Sequence, residues 1–395
     1  MNNPTKIFFA TRARGFFRHL FQSKAIKAQF VYNKSSIYET KPKYKLMISK
    51  ILHWEIFDWG GVIQIIRCKN TGCDIHGSFN RFLNSDKPYF IYVENPTAPY
   101  NYCLGRNRTL LGKRIVTKKL NDPHLKAIIY MSDACRDTFQ ELCGPIASGC
   151  HRERIYPFIP KNQYVSEAQI RAKRSRAEVK LLYIAQGIRF LSKGALEVVE
   201  AFKRLNSNGM KCSLTMVTNL SEVDKAVLQP IRETPGITLY DFAFSYEEME
   251  KLYTDHDILL QPSSDDSCPL TVFEALHAGM AFVASRLYAI PEVVQDGVNG
   301  FLIDPAHWLF DRNNMPNRDI WKDPRKTIHS GKRSESVTQA LYDRLSQMLE
   351  DRELVERMAL QSYKMAQSAP FSQEHIAQQW NNLLTTLNLQ KQDAR

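Results

Sequence analysis

Apolar residues in this chain fall into short runs separated by polar stretches with helical spacing, the alternation expected of a parallel α/β protein. Residues 180–184 form one such run, ahead of a turn at Gly187, and 214–217, 237–240 and 258–261 form others. Leu196, Val198, Val199 and Phe202 recur at helical spacing behind Lys193 and Gly194, and 245–253 reads as a helix with acids in its first turn. The run 258–261 ends in Pro262, Ser263 and Ser264, so this buried strand delivers a loop to its carboxyl edge, where open α/β sheets bind ligands. A helix over 269–278 follows, with Pro269 at its first position and Gly279 as the left-handed residue past its end. Its first amides, Leu270 and Thr271, face outward with the positive end of the helix dipole, an arrangement that suits a diphosphate. Asp266 stays on the loop while Glu274 lies just over one turn into the helix. Carboxylates on either side of a phosphate cradle suit the hydroxyls at the two ends of a nucleotide sugar.

These residues resemble the signature of the retaining GT-B glycosyltransferases of the group 1 superfamily: Glu, seven residues, Glu on one strand-loop-helix. The run Ile290, Pro291, Glu292, Val293, Val294, Gln295, Asp296, Gly297, Val298, Asn299, Gly300, Phe301, Leu302 follows the family pattern as well. The resemblance implies that Glu274 binds ribose hydroxyls and that Asp266, in the slot of the first glutamate, contacts the transferred sugar. Asp is a shorter arm than the family's Glu, and Pro269 stands where a glycine is usual, leaving Leu270 and Thr271 as the amide donors. The upstream block at 180–194 resembles the family's opening strand, Gly-Arg turn and Lys-Gly helix. It implies donor contacts from Gly187, from Arg189, one place beyond the family's arginine, and from Lys193 as the diphosphate clamp. Such cations offset charge building on the leaving nucleotide diphosphate. The family's base-contacting loop falls at 241–244, where Phe242 is the candidate stacking ring.

The amino-terminal half carries strands over 87–93 and 127–132 and a helix over 133–142. In the family a cleft histidine often ends the strand corresponding to 87–93; Glu94 stands there instead and is the candidate sugar or acceptor contact, catalytic together with Asp266 and Lys193. His76 ends a strand-like segment, and a lone histidine is more often structural. The Gly-Gly loop usual after the first strand is missing, so residues 1–60 do not map onto the family. The GT-B resemblance implies two Rossmann-like domains facing across a cleft: 1–160 on the acceptor side, a hinge at 161–178, and a donor domain at 179–370 with an insertion at 306–333. Ile376, Trp380, Leu383, Leu384 and Leu387 at helical spacing resemble the closing helix, within 371–395, that crosses back to the first domain.

A length of 395 residues also calls for two domains, and no apolar run approaches the ~20 residues of a membrane span. The net charge of +12 is uneven. Lys6, Arg12, Arg14, Arg18, Lys24 and Lys27, then Lys34, Lys41, Lys43, Lys45 and Lys50, face a single acid, Glu39, and Arg106, Arg108, Lys113, Arg114, Lys118 and Lys119 continue the bias. Interleaved with Phe8, Phe9, Phe16, Phe17, Leu20 and Phe21, these cations suit an anionic lipid surface, or else a solvated basic face over a core helix. No nucleic-acid motif accompanies the charge. The start lacks the apolar core of a secretion signal, and scattered cysteines without CxxC spacing read as free thiols in a reducing compartment. The expectation is therefore a cytoplasmic enzyme, at the inner face of the membrane if the basic half binds lipid. It transfers a hexosyl group from a nucleotide-diphosphate donor to a glycan or lipid-linked acceptor with retention, in surface polysaccharide or lipopolysaccharide synthesis. No metal or other cofactor is expected, because helix amides and Lys193 supply the positive charge. The competing readings are a GT-B subunit that binds nucleotide sugar without transfer, and a peripheral membrane protein whose basic half is its function.

Overall fold

The computed structural model describes residues 4–13, 15–32 and 62–392, the last three as backbone. They form two compact units: 1–160 with 373–395, and 161–372. Each is a parallel sheet with helices, the two Rossmann-like units of the GT-B fold.

The first unit is built on β1 (Thr5–Phe9), β2 (Ala28–Tyr32), β4 (Ile75–Phe79), β6 (Tyr89–Val93), β7 (Leu125–Tyr130) and β8 (His151–Arg154), in the order β2-β1-β4-β6-β7-β8, while β3 (Ile65–Cys68) and β5 (Phe82–Ser85) pair separately. All registers are parallel, and the central β4 and β6 are buried along their whole length, as strands covered on both faces must be. His76 is the second residue of β4 rather than the end of a strand. Its two ring nitrogens bond the hydroxyls of Thr71 and Ser85, each at 2.7 Å, so it is a satisfied core residue.

The phenylalanines near the amino terminus serve the same core. Phe9, Phe16, Phe17 and Leu20 are buried, with Phe9 and Phe17 ring centroids 4.6 Å apart and Phe17 against Tyr92 at 5.3 Å. This overturns a lipid-facing role for these rings: Phe9 belongs to β1, and an amphipathic helix, Gly15–Gln22, places Phe16, Phe17 and Leu20 in the same core. Arg14 and the basic stretch 34–50 lie outside the described residues. No described helix is long and apolar enough to cross a membrane.

The second unit follows the order β11-β10-β9-β12-β13-β14, with β9 (Val179–Ile184), β10 (Cys212–Thr218), β11 (Ile237–Asp241), β12 (Ile258–Gln261), β13 (Ala281–Ser285) and β14 (Gly300–Ile303). Ranked within the unit this is 3-2-1-4-5-6, and the order reverses between β9 and β12, the point at which doubly wound sheets bind ligands. Its core joins Leu181, Tyr183, Phe202, Leu214, Ile258, Leu260 and Val283 to Leu341 and Leu345 of the helix Glu335–Glu350.

Residues 161–178, expected as a hinge, are ordered within the second unit. The helix Glu167–Ala172 buries Ile170 against Ala359 and Leu360, Arg171 pairs with Glu356 at 3.0 Å, and the buried Lys173 ammonium donates to the His256 carbonyl at 2.6 Å. Within 306–333 the Trp321 indole N–H donates to the Leu309 carbonyl at 2.9 Å, and Phe310 stacks on Tyr288 at 4.0 Å, so this stretch is packed against the rest of the second unit.

After Ser372 the chain returns to the first unit. The helix Gln373–Gln392 buries Ile376, Trp380, Leu383, Leu384 and Leu387, and Trp380 lies 5.7 Å from the Phe90 ring and stacks on Tyr92 at 6.0 Å. Asn381 ties the helix to the amino-terminal segment by accepting from the Lys27 N–H and donating to the Ala25 carbonyl, both at 2.8 Å. With Trp380 only 1% exposed, Trp380→Ala is expected to destabilise this unit by about 3–5 kcal/mol in denaturant titration, and a loss below about 1 kcal/mol would contradict the core role given to the helix.

Candidate functional site

At the switch in strand order two loops leave neighbouring strands at the carboxyl edge. After β9 the chain makes a tight 3-10 turn, Gly187–Arg189, then passes Lys193 and enters the helix Ala195–Ser207 through Gly194. After β12 it runs from Pro262 to Asp266 and enters the helix Leu270–His277. Gly194 permits the two loops to touch: it sits at φ +89°, and a Cβ there would lie 2.8 Å from the Pro262 carbonyl oxygen. Gly187 is a packing glycine, since a Cβ on it would meet Glu222 Cβ at 2.4 Å.

Polar contacts stitch the loops together. The Ser264 N–H donates to the Ser192 carbonyl at 3.0 Å, and the Ser192 hydroxyl to the Asp265 carboxylate at 3.0 Å. Arg189 turns toward the same acid, with Nε 3.6 Å from Asp265 Oδ2 and Nη1 3.3 Å from its carbonyl oxygen. Deeper in, Lys193 Nζ lies 3.0 Å from Asp266 Oδ1, and both side chains are nearly covered, at 11% and 7% exposure. The other oxygen of Asp266 accepts from the Gln261 amide at 2.7 Å, and the Gln261 oxygen accepts from the Thr271 hydroxyl at 3.3 Å.

Pro269 takes the capping position just outside the helix, with ψ 120°, rather than its first turn, and supplies no side-chain cap. The amides of Leu270 and Thr271 therefore stand at the helix start with neither an intrahelical acceptor nor a cap. Glu274, one turn in, accepts from the Tyr253 hydroxyl at 2.7 Å. Burial pushes its carboxyl up to about 7; the Tyr253 bond opposes the rise and nearby Glu250 adds to it.

Asp266, Leu270, Thr271 and Glu274 thus share the strand-loop-helix after β12, and Lys193 reaches them from the adjoining loop after β9, which also carries Gly187 and Arg189. Phe242, also at a carboxyl edge, follows β11, the edge strand, and is half-buried, its N–H donating to the Thr218 carbonyl at 3.0 Å. Glu94 belongs to the other unit, at the carboxyl end of β6. There it is buried, accepting from the Tyr102 hydroxyl at 2.6 Å, while its N–H donates to Asn80 Oδ1 at 3.0 Å. Cys268 is buried in the loop. Sequence reasoning missed Asp265, Gln261 and Tyr253. Gln261 left a signal, a polar residue closing an otherwise apolar strand, whereas Tyr253 is brought in by packing between helices that sequence spacing does not encode.

Residues 178–309, which contain all of this second-unit geometry, match the family model of glycosyl transferases group 1. The second unit carries a group 1 glycosyl transferase domain. Among curated relatives, a sulfoquinovosyl transferase of Arabidopsis thaliana is 34% identical over 63 residues, 15% of this chain and 12% of that protein. An N-acetyl-alpha-D-glucosaminyl L-malate synthase of Bacillus anthracis is 22% identical over 270 residues, 60% of this chain and 70% of its own. The chain thus spans about an eighth of the first relative's length and over two thirds of the second's. Among solved structures, HepE of Anabaena in complex with UDP-glucose superposes with a TM-score of 0.61 at 15% identity, covering 96% of this chain and 99% of that one. Sucrose-phosphate synthase of Thermosynechococcus elongatus gives 0.63 at 13%, covering 98% and 99%. WaaG, a glycosyltransferase involved in lipopolysaccharide biosynthesis, gives 0.58 at 12%, covering 96% and 99%. At these identities the structures establish the fold, with the group 1 domain as its second unit.

Glu274 in this domain yields a stability test. The folded carboxyl keeps its proton to about pH 7, against an ordinary value of 4.5 in the unfolded chain, so its contribution to stability is present below 4.5 and lost as pH rises through 7. Melting curves between pH 5 and 8 are expected to show Glu274→Gln gaining on the wild type as pH rises; parallel curves would contradict the burial argument.

Proposed function

We propose that this protein transfers a hexosyl group from a nucleotide-diphosphate sugar to a glycan or lipid-linked acceptor, with retention at the anomeric carbon. The observation that carries the reading is the convergence of Lys193, the open amides of Leu270 and Thr271, Asp266 and Glu274 at the strand-order switch of a group 1 domain. The diphosphate lies at the start of the helix Leu270–His277, where the dipole and two amides meet its charge, and Lys193 and Arg189 offset the charge that builds as it leaves. Glu274 takes the ribose hydroxyls and Asp266 the sugar, with Phe242 beside the base and Glu94 toward the acceptor. A uridine nucleotide is the favoured donor class, in keeping with the UDP-glucose bound by HepE. These fixed charges carry the reaction without a metal ion. Synthesis of a surface polysaccharide or lipopolysaccharide is the setting, in keeping with the lipopolysaccharide biosynthesis in which WaaG is involved.

In thermal-shift measurements without added metal, a UDP-sugar is expected to stabilise the wild type, and Glu274→Ala to abolish the shift. With labelled donor, Lys193→Ala is expected to cut turnover by about 10²–10³-fold, the scale of losing one charge-stabilising group, while a chelator leaves turnover unchanged. No shift with uridine, guanosine or adenosine diphosphate sugars would sink the reading, and chelator-sensitive turnover restored by a divalent ion would sink the metal-free mechanism.

A membrane-surface acceptor has support in the first unit. On the helix Leu110–Leu120, Leu110 is 88% and Leu111 50% exposed, and Arg108, Lys113, Arg114 and Lys118 are exposed beside them. No acid occurs between Asn95 and Asn121. Exposed leucines among cations with no acid nearby in sequence suit an anionic lipid surface. Co-sedimentation with phosphatidylglycerol vesicles is expected, with little on phosphatidylcholine and a several-fold loss in a Leu110→Ser, Leu111→Ser, Lys113→Glu, Arg114→Glu variant. Binding that the variant leaves unchanged would remove this surface from the account.

A further inference from the structure

Asp266 has both oxygens occupied, by partners of different freedom. Oδ2 accepts from Gln261 Nε2 at 2.7 Å, and Gln261 is 1% exposed on β12, its backbone in register with Ala284 of β13. The Asp266 carboxylate fixes the amide, since a reversed Gln261 would turn its oxygen onto it, and in this orientation Gln261 Oε1 accepts from the Thr271 hydroxyl. Oδ1 faces Lys193, an ammonium on a flexible four-carbon stem in the loop after Arg189. Of the two partners, only the lysine can leave without disturbing the sheet.

We propose that Gln261 is a positioning residue that fixes one oxygen of Asp266, making the other an exchangeable site that Lys193 holds until a diphosphate draws the lysine away. This rests on the donor-site reading above and adds an order of recognition to it. A diphosphate at the amides of Leu270 and Thr271 carries more charge than one carboxylate and attracts the Lys193 ammonium. Oδ1, relieved of its cation and held in place by Gln261, then accepts a hydroxyl from the transferred sugar. A free sugar lacks the charge to open the pair, since displacing the lysine would leave a nearly buried cation unpaired. Sugar recognition is therefore conditional on the diphosphate, and the short aspartate arm is compensated by the glutamine that aims it.

Calorimetric titration of UDP and UDP-glucose into the wild type, Asp266→Asn and Gln261→Leu tests this, with melting curves recording the fold of each. The isosteric Asp266→Asn keeps an acceptor for Gln261 but turns a donor toward Lys193, releasing the lysine. It is expected to bind UDP about tenfold more tightly, about 1.4 kcal/mol, while losing most of the extra affinity for UDP-glucose over UDP. Damage to the fold cannot tighten UDP binding, so that opposite movement is specific to the exchange. Gln261→Leu is expected to keep UDP affinity and lose the UDP-glucose increment. Weakening of both ligands alike in Asp266→Asn, or a wild-type increment in Gln261→Leu, would overturn the proposal. Failure of the wild type to bind UDP, UDP-glucose or the guanosine and adenosine counterparts would overturn the donor-site reading itself.

Discussion

The Lys193–Asp266 ion pair at the strand-order switch is the contact around which the second unit's site is organised. It joins the loops leaving β9 and β12, strands adjacent in the sheet but far apart in sequence. Two nearly covered opposite charges 3.0 Å apart cannot be separated cheaply unless another charge replaces one of them. The loops are thus locked together while the site waits for an anion. Gly194 makes the contact sterically possible, and Ser192, Asp265 and Arg189 form a second row of polar contacts beside it.

Around that pair the electrostatics are graded. The open helix amides offer positive potential that no side-chain cap cancels, because proline stands where a capping residue would. Glu274, one turn deeper, is held by Tyr253 in surroundings that favour its protonated form. The same helix therefore presents a site for negative charge at its start and a carboxyl whose ionisation is finely balanced just behind.

Much of this was legible in the chain. The apolar runs mark β9, β10, β11 and β12, most plainly β9 and β12, which lie at the centre of the sheet and are buried almost throughout, whereas the edge strand β11 is only partly covered. The acids on the loop and helix after β12, and the lysine before the helix Ala195–Ser207, were visible because type and spacing carry their chemistry. The amino-terminal half was less open. Its phenylalanines and cations read equally as a membrane face or a core helix, and only packing against Tyr92 and Phe79 assigns the rings to the core. The stretch 161–178 looked like a linker, with Arg171, Lys173, Arg174 and Arg176 in close succession, yet its cations find acids and a buried carbonyl in the second unit.

By itself, then, the sequence determined the α/β class, the strands β9 to β12 with the helices that flank the ligand edge, the closing helix and the identity of the charged groups at that edge, since local periodicity and residue chemistry carry all of these. Only the tertiary structure decided which of those groups touch. Asp266 meets Lys193 and Gln261 rather than solvent, Glu274 meets Tyr253, and Arg189 turns to an aspartate that drew no notice in the sequence. The reason is physical: which partner a charge finds depends on burial and on loops brought together by the sheet, and neither is written in the spacing of residues along one strand or helix.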